Sequence, residues 1–109
     1  MDFQEYQKKS LETAIYPTVG KSFVYPTMGL AGEAGEVSEK IKKLFRDKNG
    51  VADGDTKREL EKELGDVLWY LSQIATEFDL SLNEIAEKNI EKLFSRKERG
   101  TLHGDGDNR

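Results

Sequence analysis

The spacing of the apolar residues limits what this chain can fold into more than any other feature. In two long stretches these residues return every three or four positions, which is the repeat of one helical face. The first stretch holds Leu30, Ala34, Val37, Ile41, Leu44 and Phe45, and the second holds Leu60, Leu64, Val67, Leu68, Leu71, Ile74, Ala75 and Phe78. No segment alternates apolar and polar residues over a useful length, so the sequence predicts an all-α protein.

Capping residues and helix breakers set the predicted helix limits. The residue before a proline disfavours the α conformation, so Tyr16-Pro17 ends the first helix, and Gly100 ends the last. Three pairs have the spacing of helix caps: Asp2 and Glu5, Thr56 and Glu59, Ser81 and Glu84. We therefore predict helices at roughly 2–15, 27–46, 56–79 and 81–99, packed as a four-helix bundle, with an irregular C-terminal tail. At 109 residues the chain fits a single domain, 1–109.

Composition excludes several classes of function. The formal net charge of −4 argues against a general nucleic-acid binder, because such proteins usually need a basic face. The absence of cysteine excludes a disulfide framework, a thiolate zinc site and a cysteine nucleophile. No run approaches the length of a membrane span, and the first residues lack the apolar centre of a signal peptide. We therefore expect a cytoplasmic protein with no membrane partner.

One short pattern, E-x-G-[E/D]-V, occurs twice in the two apolar-periodic helices. Each copy places two carboxylates three positions apart, in the pairs Glu33/Glu36 and Glu63/Asp66. The members of a pair lie on neighbouring turns of one side of a helix. At about 100° per residue, both pairs fall on the same flank of their apolar stripe. Antiparallel packing turns these matching flanks toward each other, so the sequence allows four carboxylates to converge.

Four crowded carboxylates need a counter-ion, because otherwise they repel and some of them take up a proton. Oxygen ligands suit Mg²⁺ or Mn²⁺, and Mg²⁺ normally completes its shell with waters and substrate phosphates. Di-iron bundles carry E-x-x-H motifs, whereas the only histidine here is His103, in the tail. The pattern therefore favours a Mg²⁺ site for phosphate chemistry, with Mn²⁺ as the other candidate.

The acids and the glycines near them also have purely structural explanations. A single E-x-x-E pair is common on a solvated helix flank and means little alone. Gly32, Gly35 and Gly65 are unusual in mid-helix, where each costs about 1 kcal/mol relative to alanine. They are explained either by close helix–helix contact or by room for metal and phosphate beside the carboxylates.

These residues resemble the MazG-like nucleotide pyrophosphohydrolases of the all-α NTP pyrophosphatase superfamily, whose signature is E-x-x-E, a variable gap and E-x-x-D. The segments GLAGEAGEVSEKIKK and KELGDVLWYL are similar to the family's two central helices. The resemblance implies Mg²⁺-dependent hydrolysis of a nucleoside triphosphate between its α- and β-phosphates, which gives a monophosphate and pyrophosphate. It also implies a homodimer or a homotetramer.

The resemblance implies roles for individual residues as well. The Mg²⁺ ligands are matched by Glu33, Glu36, Glu63 and Asp66, the phosphate-contacting residues by Lys62, Lys92 and Arg96, and an aromatic residue near the substrate by Tyr70. Many members begin the motif with two adjacent glutamates, but Gly32 precedes Glu33 here, and Glu39 is the candidate to replace the missing acid. Without the resemblance, the basic residues can equally be solvated charges on a helix face, and Tyr70 can be a core or an interface residue.

Asn89 is a further substrate-binding candidate, because it is a polar residue expected to face inward among Ile85, Ile90 and Leu93. It either contacts base or phosphate, or makes a buried hydrogen bond to a neighbouring helix.

Two other functions stay open beside the enzyme. A non-catalytic helical interaction module predicts neither metal-dependent stabilisation nor nucleotide hydrolysis. A regulator that senses Mg²⁺ and nucleotide predicts binding with negligible turnover. Nothing in the sequence distinguishes the base or the sugar.

Overall fold

Four α-helices account for most of the chain in the computed structural model, which describes all 109 residues. They are α1 (Phe3–Ser10), α2 (Val24–Lys48), α3 (Gly54–Glu77) and α4 (Leu82–Glu98), with a short 3-10 helix, Leu11–Thr13, after α1. There is no strand, so the all-α prediction is confirmed. None of the helices combines the length and the apolarity that crossing a membrane requires.

α2 and α3 form a hairpin, which is the main packing unit of the fold. Their contacts run in opposite sequence order. At one end Lys48, in the last turn of α2, donates to the hydroxyl of Thr56 in the first turn of α3. At the other end Gly29, near the start of α2, lies against the ring of Tyr70. The helices are therefore antiparallel, as the placement of the acidic flanks predicted.

Two of the predicted caps are confirmed and one is wrong. The Asp2 carboxylate accepts the N–H of Glu5 at 2.8 Å, and the Ser81 hydroxyl accepts the N–H of Glu84 at 3.2 Å. α3 is capped by Asp53 and not by Thr56, whose own N–H donates to Asp53 Oδ1 at 2.8 Å. The reason is that Gly54 and the two residues after it already form the first helical turn, so the helix begins two residues before the predicted position.

The predicted limits of the first two helices also need correction. α1 ends at Ser10 and tightens into the 3-10 helix, because the Thr13 hydroxyl bonds to the carbonyl of Ser10 and Ala14 leaves the helical conformation. α2 begins at Val24, upstream of Pro26, and not at 27. A proline is tolerated in the first turn of a helix because its missing N–H has no partner there in any case.

A buried polar layer attaches α1 to α3. Gln73 donates to the hydroxyl of Ser10 at 2.8 Å, and the hydroxyls of Ser10 and Ser72 lie 3.2 Å apart. Gln7 joins the end of α3 to the start of α4, because its side-chain amide donates to the hydroxyl of Thr76 and to the carbonyl of Leu80 and accepts the N–H of Leu82. α4 packs against α1 and makes at most marginal contact with the α2–α3 hairpin.

Candidate metal centre

Three carboxylates converge across the α2–α3 hairpin. Glu33 comes from α2, whereas Glu63 and Asp66 come from adjacent turns of α3, and one oxygen of each lies within 4.8 Å of the others. Glu33 and Glu63 are half-buried, and Asp66 is exposed at the edge. The antiparallel register explains the meeting, because it brings the matching flanks of the two E-x-G-[E/D]-V segments together.

The crowding of these acids perturbs the pKa of Glu33. Burial raises this pKa first, and the negative charges of Asp66 and Glu63 and a hydrogen bond with Glu63 raise it further. A positive charge placed among the three oxygens would reverse these effects. The group is therefore an acidic site whose ionised form a bound cation would stabilise.

The donor set fits a hard divalent cation. All the candidate ligands are carboxylate oxygens, with no sulfur or imidazole nearby, and such sites suit Mg²⁺ and Mn²⁺. Three protein oxygens leave room for the waters and phosphate oxygens that complete the Mg²⁺ shell.

Glu36, the fourth predicted acid, lies outside the three-carboxylate group. It is exposed one turn beyond Glu33, and its charge is the smallest of the causes that raise the pKa of Glu33. Glu39 is further away along α2 and forms an ion pair with Lys42 at 2.9 Å. The structure therefore brings together three of the four predicted acids and leaves Glu36 at their margin.

Tyr70 lies beside the carboxylates, where the resemblance put an aromatic residue. Its pKa is raised first by burial and then by the charges of Tyr25, Glu33 and Asp66. Its ring rests against the backbone of α2 at Gly29, where a Cβ atom would overlap the ring. Gly29 therefore sets the position of Tyr70, a role that the sequence analysis missed.

Tyr6 is a second aromatic residue near the site that the sequence analysis missed. Burial and the charge of Asp66 raise its pKa, so its hydroxyl lies within electrostatic range of the carboxylates. Its ring lines an apolar cleft of about 300 Å³ between the start of α1 and Leu68. The sequence marks Tyr6 only as an apolar-face residue of α1, because no local spacing relates it to an acid sixty positions away.

The three mid-helix glycines near the acids are not explained by close packing within the chain. A Cβ atom at Gly32, Gly35 or Gly65 would meet nothing within 4 Å. The close-contact explanation is therefore wrong for the single chain, and open space remains beside the carboxylates.

None of the predicted basic residues forms an ion pair with the three clustered acids. Lys62 is exposed and lines a surface cleft with Asp55, Arg58, Glu59 and Glu61. Lys92 and Arg96 lie on α4, where both bind Asp107 of the tail. Asn89 is exposed on the same helix, so the expectation that it faces inward is wrong for the single chain.

Comparison with known proteins agrees with this geometry. The MazG nucleotide pyrophosphohydrolase domain matches residues 26–101, which contain all of α2 but its first two residues, α3, α4 and all three clustered acids. The chain belongs to this family. The Gene 37 protein of Mycobacterium phage L5 is 47% identical over 109 residues, which cover 95% of this chain and 96% of the relative.

A more distant relative covers less of the chain. The uncharacterized protein YpjD of Bacillus subtilis (strain 168) is 33% identical over 78 residues, or 71% of this chain and 69% of the relative. No solved structure matches the chain. The names of both relatives leave their activities unstated, so the family match carries the functional information.

Proposed function

We propose that this MazG-family chain is a Mg²⁺-dependent nucleotide pyrophosphohydrolase. The reaction adds water across the α–β anhydride bond of a ribo- or deoxyribonucleoside triphosphate and yields the monophosphate and pyrophosphate. The convergence of Glu33, Glu63 and Asp66 within 4.8 Å is the observation that carries the proposal. The family match supplies the substrate class.

Glu33, Glu63 and Asp66 are the residues that would hold Mg²⁺, with Mn²⁺ as a substitute. When bound, the ion supplies Lewis acidity toward phosphate oxygens and activates a water nucleophile. The carboxylates would remain ionised around it, which removes the repulsion that raises the pKa of Glu33.

Glu36 is the acid that we assign to orient the attacking water and to accept its proton. Its carboxylate stands at the margin of the three-carboxylate group and is exposed, so its oxygens are free to accept a hydrogen bond. Lys62, Lys92 and Arg96 would neutralise negative charge on the leaving pyrophosphate, and Asn89 would add a polar contact. Tyr70, held against Gly29, would form the wall of the site next to the acids.

Glu63→Gln tests this proposal, because it removes one charge from the centre of the group and preserves the shape of the side chain. We expect Mg²⁺-dependent pyrophosphate release from deoxynucleoside triphosphates to fall to background. Glu61→Gln is the matched control, because Glu61 is exposed on the same helix outside the group, and it should retain activity. Full activity in Glu63→Gln would overturn the assignment, and tight nucleotide binding without turnover in the wild type would indicate a sensor.

We further propose that the protein is a homo-oligomer, because the single chain leaves too much apolar surface in water. Its accessible surface is 8074 Å², against about 6,100 Å² for a folded monomer of this mass. Its radius of gyration is 16.8 Å, against about 13 Å for a compact domain of this length. More than half of each of these large side chains is exposed: Met28, Phe45, Leu64, Phe78, Ile90 and Phe94.

The accessible surface of one chain therefore exceeds that of a typical folded monomer by about 1,900 Å². Twice this excess, for a pair of chains, falls within the range of about 2,000–5,000 Å² that obligate homodimers bury. Light scattering during size exclusion should therefore give a multiple of the chain mass of 12.4 kDa. A homodimer or a homotetramer satisfies the proposal. A clean 12.4 kDa species at micromolar concentration would contradict it.

Association also gives a way to bring the basic residues of α4 to the acids, since α4 packs against α1 and makes at most marginal contact with the hairpin. We propose that the acids of one chain act with Lys92 and Arg96 of another. In a dimer built this way, mixing Glu63→Gln with Lys92→Gln should restore about a quarter of wild-type activity, because half of the random pairs carry one intact site. No recovery after mixing would show that each site uses one chain alone.

A further inference from the structure

The C-terminal tail folds back along the second half of α4 and covers its basic residues. Leu102 joins Ile90, Leu93, Phe94 and Lys97 around a shallow apolar hollow of about 310 Å³. The N–H of Thr101 bonds to the carbonyl of Arg96 at 2.8 Å, and Arg109 donates to the carbonyls of Thr101 and Leu102 at 3.1 and 2.9 Å. These contacts hold the tail in one path and place Asp107 over α4.

Asp107 binds both members of the basic pair. Its Oδ1 accepts from Lys92 Nζ at 2.9 Å and from Arg96 Nη2 at 3.0 Å, and its backbone carbonyl also accepts from Arg96. Hydrogen bonds from Lys92 and Arg96 and their positive charges lower the pKa of Asp107, so this carboxylate is ionised at neutral pH. A single negative group thus occupies the place where two cations converge.

The two sides of this contact differ in burial. Arg96 is 4% exposed, and its Nε–H is buried without any hydrogen-bond partner, whereas the side chain of Asp107 is 79% exposed. A buried guanidinium has five N–H donors, and one carboxylate with one carbonyl does not satisfy them. Asp107 keeps most of its hydration, so its hold on the pair is weak and reversible.

We propose that Asp107 is a tethered competitor for an anion-binding site formed by Lys92 and Arg96, and that the phosphate groups of a nucleotide or pyrophosphate displace it. A diphosphate carries more charge and more acceptor oxygens than one carboxylate, so it can engage the unpartnered donor of Arg96 as well. The tail after Thr101 lies outside the segment that the family model matches. The identity of the displacing anion rests on the proposed function.

Inorganic pyrophosphate, titrated calorimetrically in the presence of EDTA, tests the proposal without involving the carboxylate group and its metal. Because the Asp107 carboxylate is exposed, removing its charge changes an equilibrium constant by at most about fivefold. Asp107→Asn should therefore bind pyrophosphate up to about fivefold more tightly than the wild type. Asp105→Asn makes the same change in tail charge at an exposed residue that does not touch the pair, so its affinity should equal that of the wild type.

Hydrogen exchange gives a second readout, since pyrophosphate should speed exchange in the tail of the wild type by displacing it. Equal or weaker binding by Asp107→Asn, an equal gain in Asp105→Asn, or no binding by any variant would overturn the proposal. These binding results can be distinguished from the results of the hydrolysis assay that tests the proposed enzyme. Tighter pyrophosphate binding without hydrolysis would leave the tail contact standing and remove the enzyme, and hydrolysis without a tail effect would do the reverse.

Discussion

The contact between Gly29 and Tyr70 predicts that two glycine-to-alanine substitutions on the same helix have opposite effects on stability. At an open helical position alanine is more stable than glycine by about 1 kcal/mol, because it loses less backbone freedom on folding. Gly35 is such a position, since a Cβ atom there meets nothing within 4 Å. Gly35→Ala should therefore raise the free energy of unfolding by up to about 1 kcal/mol.

Gly29→Ala gains the same helical preference but forces a methyl group into space that the Tyr70 ring already fills. Overpacking of this kind typically costs about 1–3 kcal/mol. The net change in the free energy of unfolding should lie between zero and a loss of about 2 kcal/mol. The Tyr70 ring should also shift relative to Glu33 and Asp66, because it is the group nearest to the new methyl and moves more easily than the helix backbone.

Urea denaturation followed by helical circular dichroism measures both variants at one protein concentration. In a Tyr70→Ala background the ring is gone, and Gly29→Ala should become stabilising by about 1 kcal/mol, as Gly35→Ala is in the wild type. Equal stabilisation by Gly29→Ala and Gly35→Ala in the wild type would refute the reasoning. Continued destabilisation by Gly29→Ala after Tyr70 is removed would refute it as well.

Three further predictions address the cap, the metal and the pH dependence. Ser81→Ala should lower the free energy of unfolding by about 1 kcal/mol by removing the N-cap of α4, whereas Ser38→Ala, at an exposed mid-helix position, should have little effect in the same urea titration. Mg²⁺ at a hundred times its dissociation constant should stabilise the wild type by about 2.7 kcal/mol, and a calorimetric scan of Glu63→Gln that shows the same rise would mean that Mg²⁺ binds elsewhere. Burial, with a hydrogen bond to Glu77, raises the pKa of Tyr16 to about 12. The folded state therefore retains a proton that the unfolded state releases near pH 10. The free energy of unfolding should fall as the pH rises from 10 to 12. Tyr16→Phe should lose this part of the alkaline fall, and an unchanged pH profile would contradict the assignment.

The helices could be predicted because their signals are local. The periodic apolar stripes define α2 and α3, and the caps at Asp2 and Ser81 fix two helix starts to within a residue. The first residue of α3 was harder to predict, because the segment from Asp53 to Thr56 offers three polar residues that can each cap a helix. Only the backbone geometry selects Asp53, whose carboxylate accepts the N–H of Thr56.

The acidic group could also be predicted, because matching flanks on two antiparallel helices must meet. The prediction brought four acids together, and the structure has three of them, Glu33, Glu63 and Asp66, within 4.8 Å. Whether Glu36 joins the other acids depends on the exact register between α2 and α3. A sequence pattern that repeats every helical turn does not fix that register.

The placement of α4 could not be predicted from its own residues. An apolar stripe shows that Ile90 and Leu93 need a covering surface, but it does not say whether that surface belongs to the same chain. The electrostatic effect of Asp66 on Tyr6 and the hydrogen bond of Arg96 with Asp107 likewise relate segments that local patterns do not connect. These contacts are where the structure adds most to the account of the site.

The products of nucleotide hydrolysis distinguish a pyrophosphohydrolase from other nucleotide hydrolases. Phosphorus NMR of the wild-type protein with Mg²⁺ and a panel of standard and damaged nucleoside triphosphates resolves monophosphate, diphosphate, pyrophosphate and orthophosphate in one spectrum. We expect equal amounts of monophosphate and pyrophosphate from at least one substrate, and no reaction in EDTA. Orthophosphate with nucleoside diphosphate, or a complete absence of turnover across the panel, would contradict this expectation.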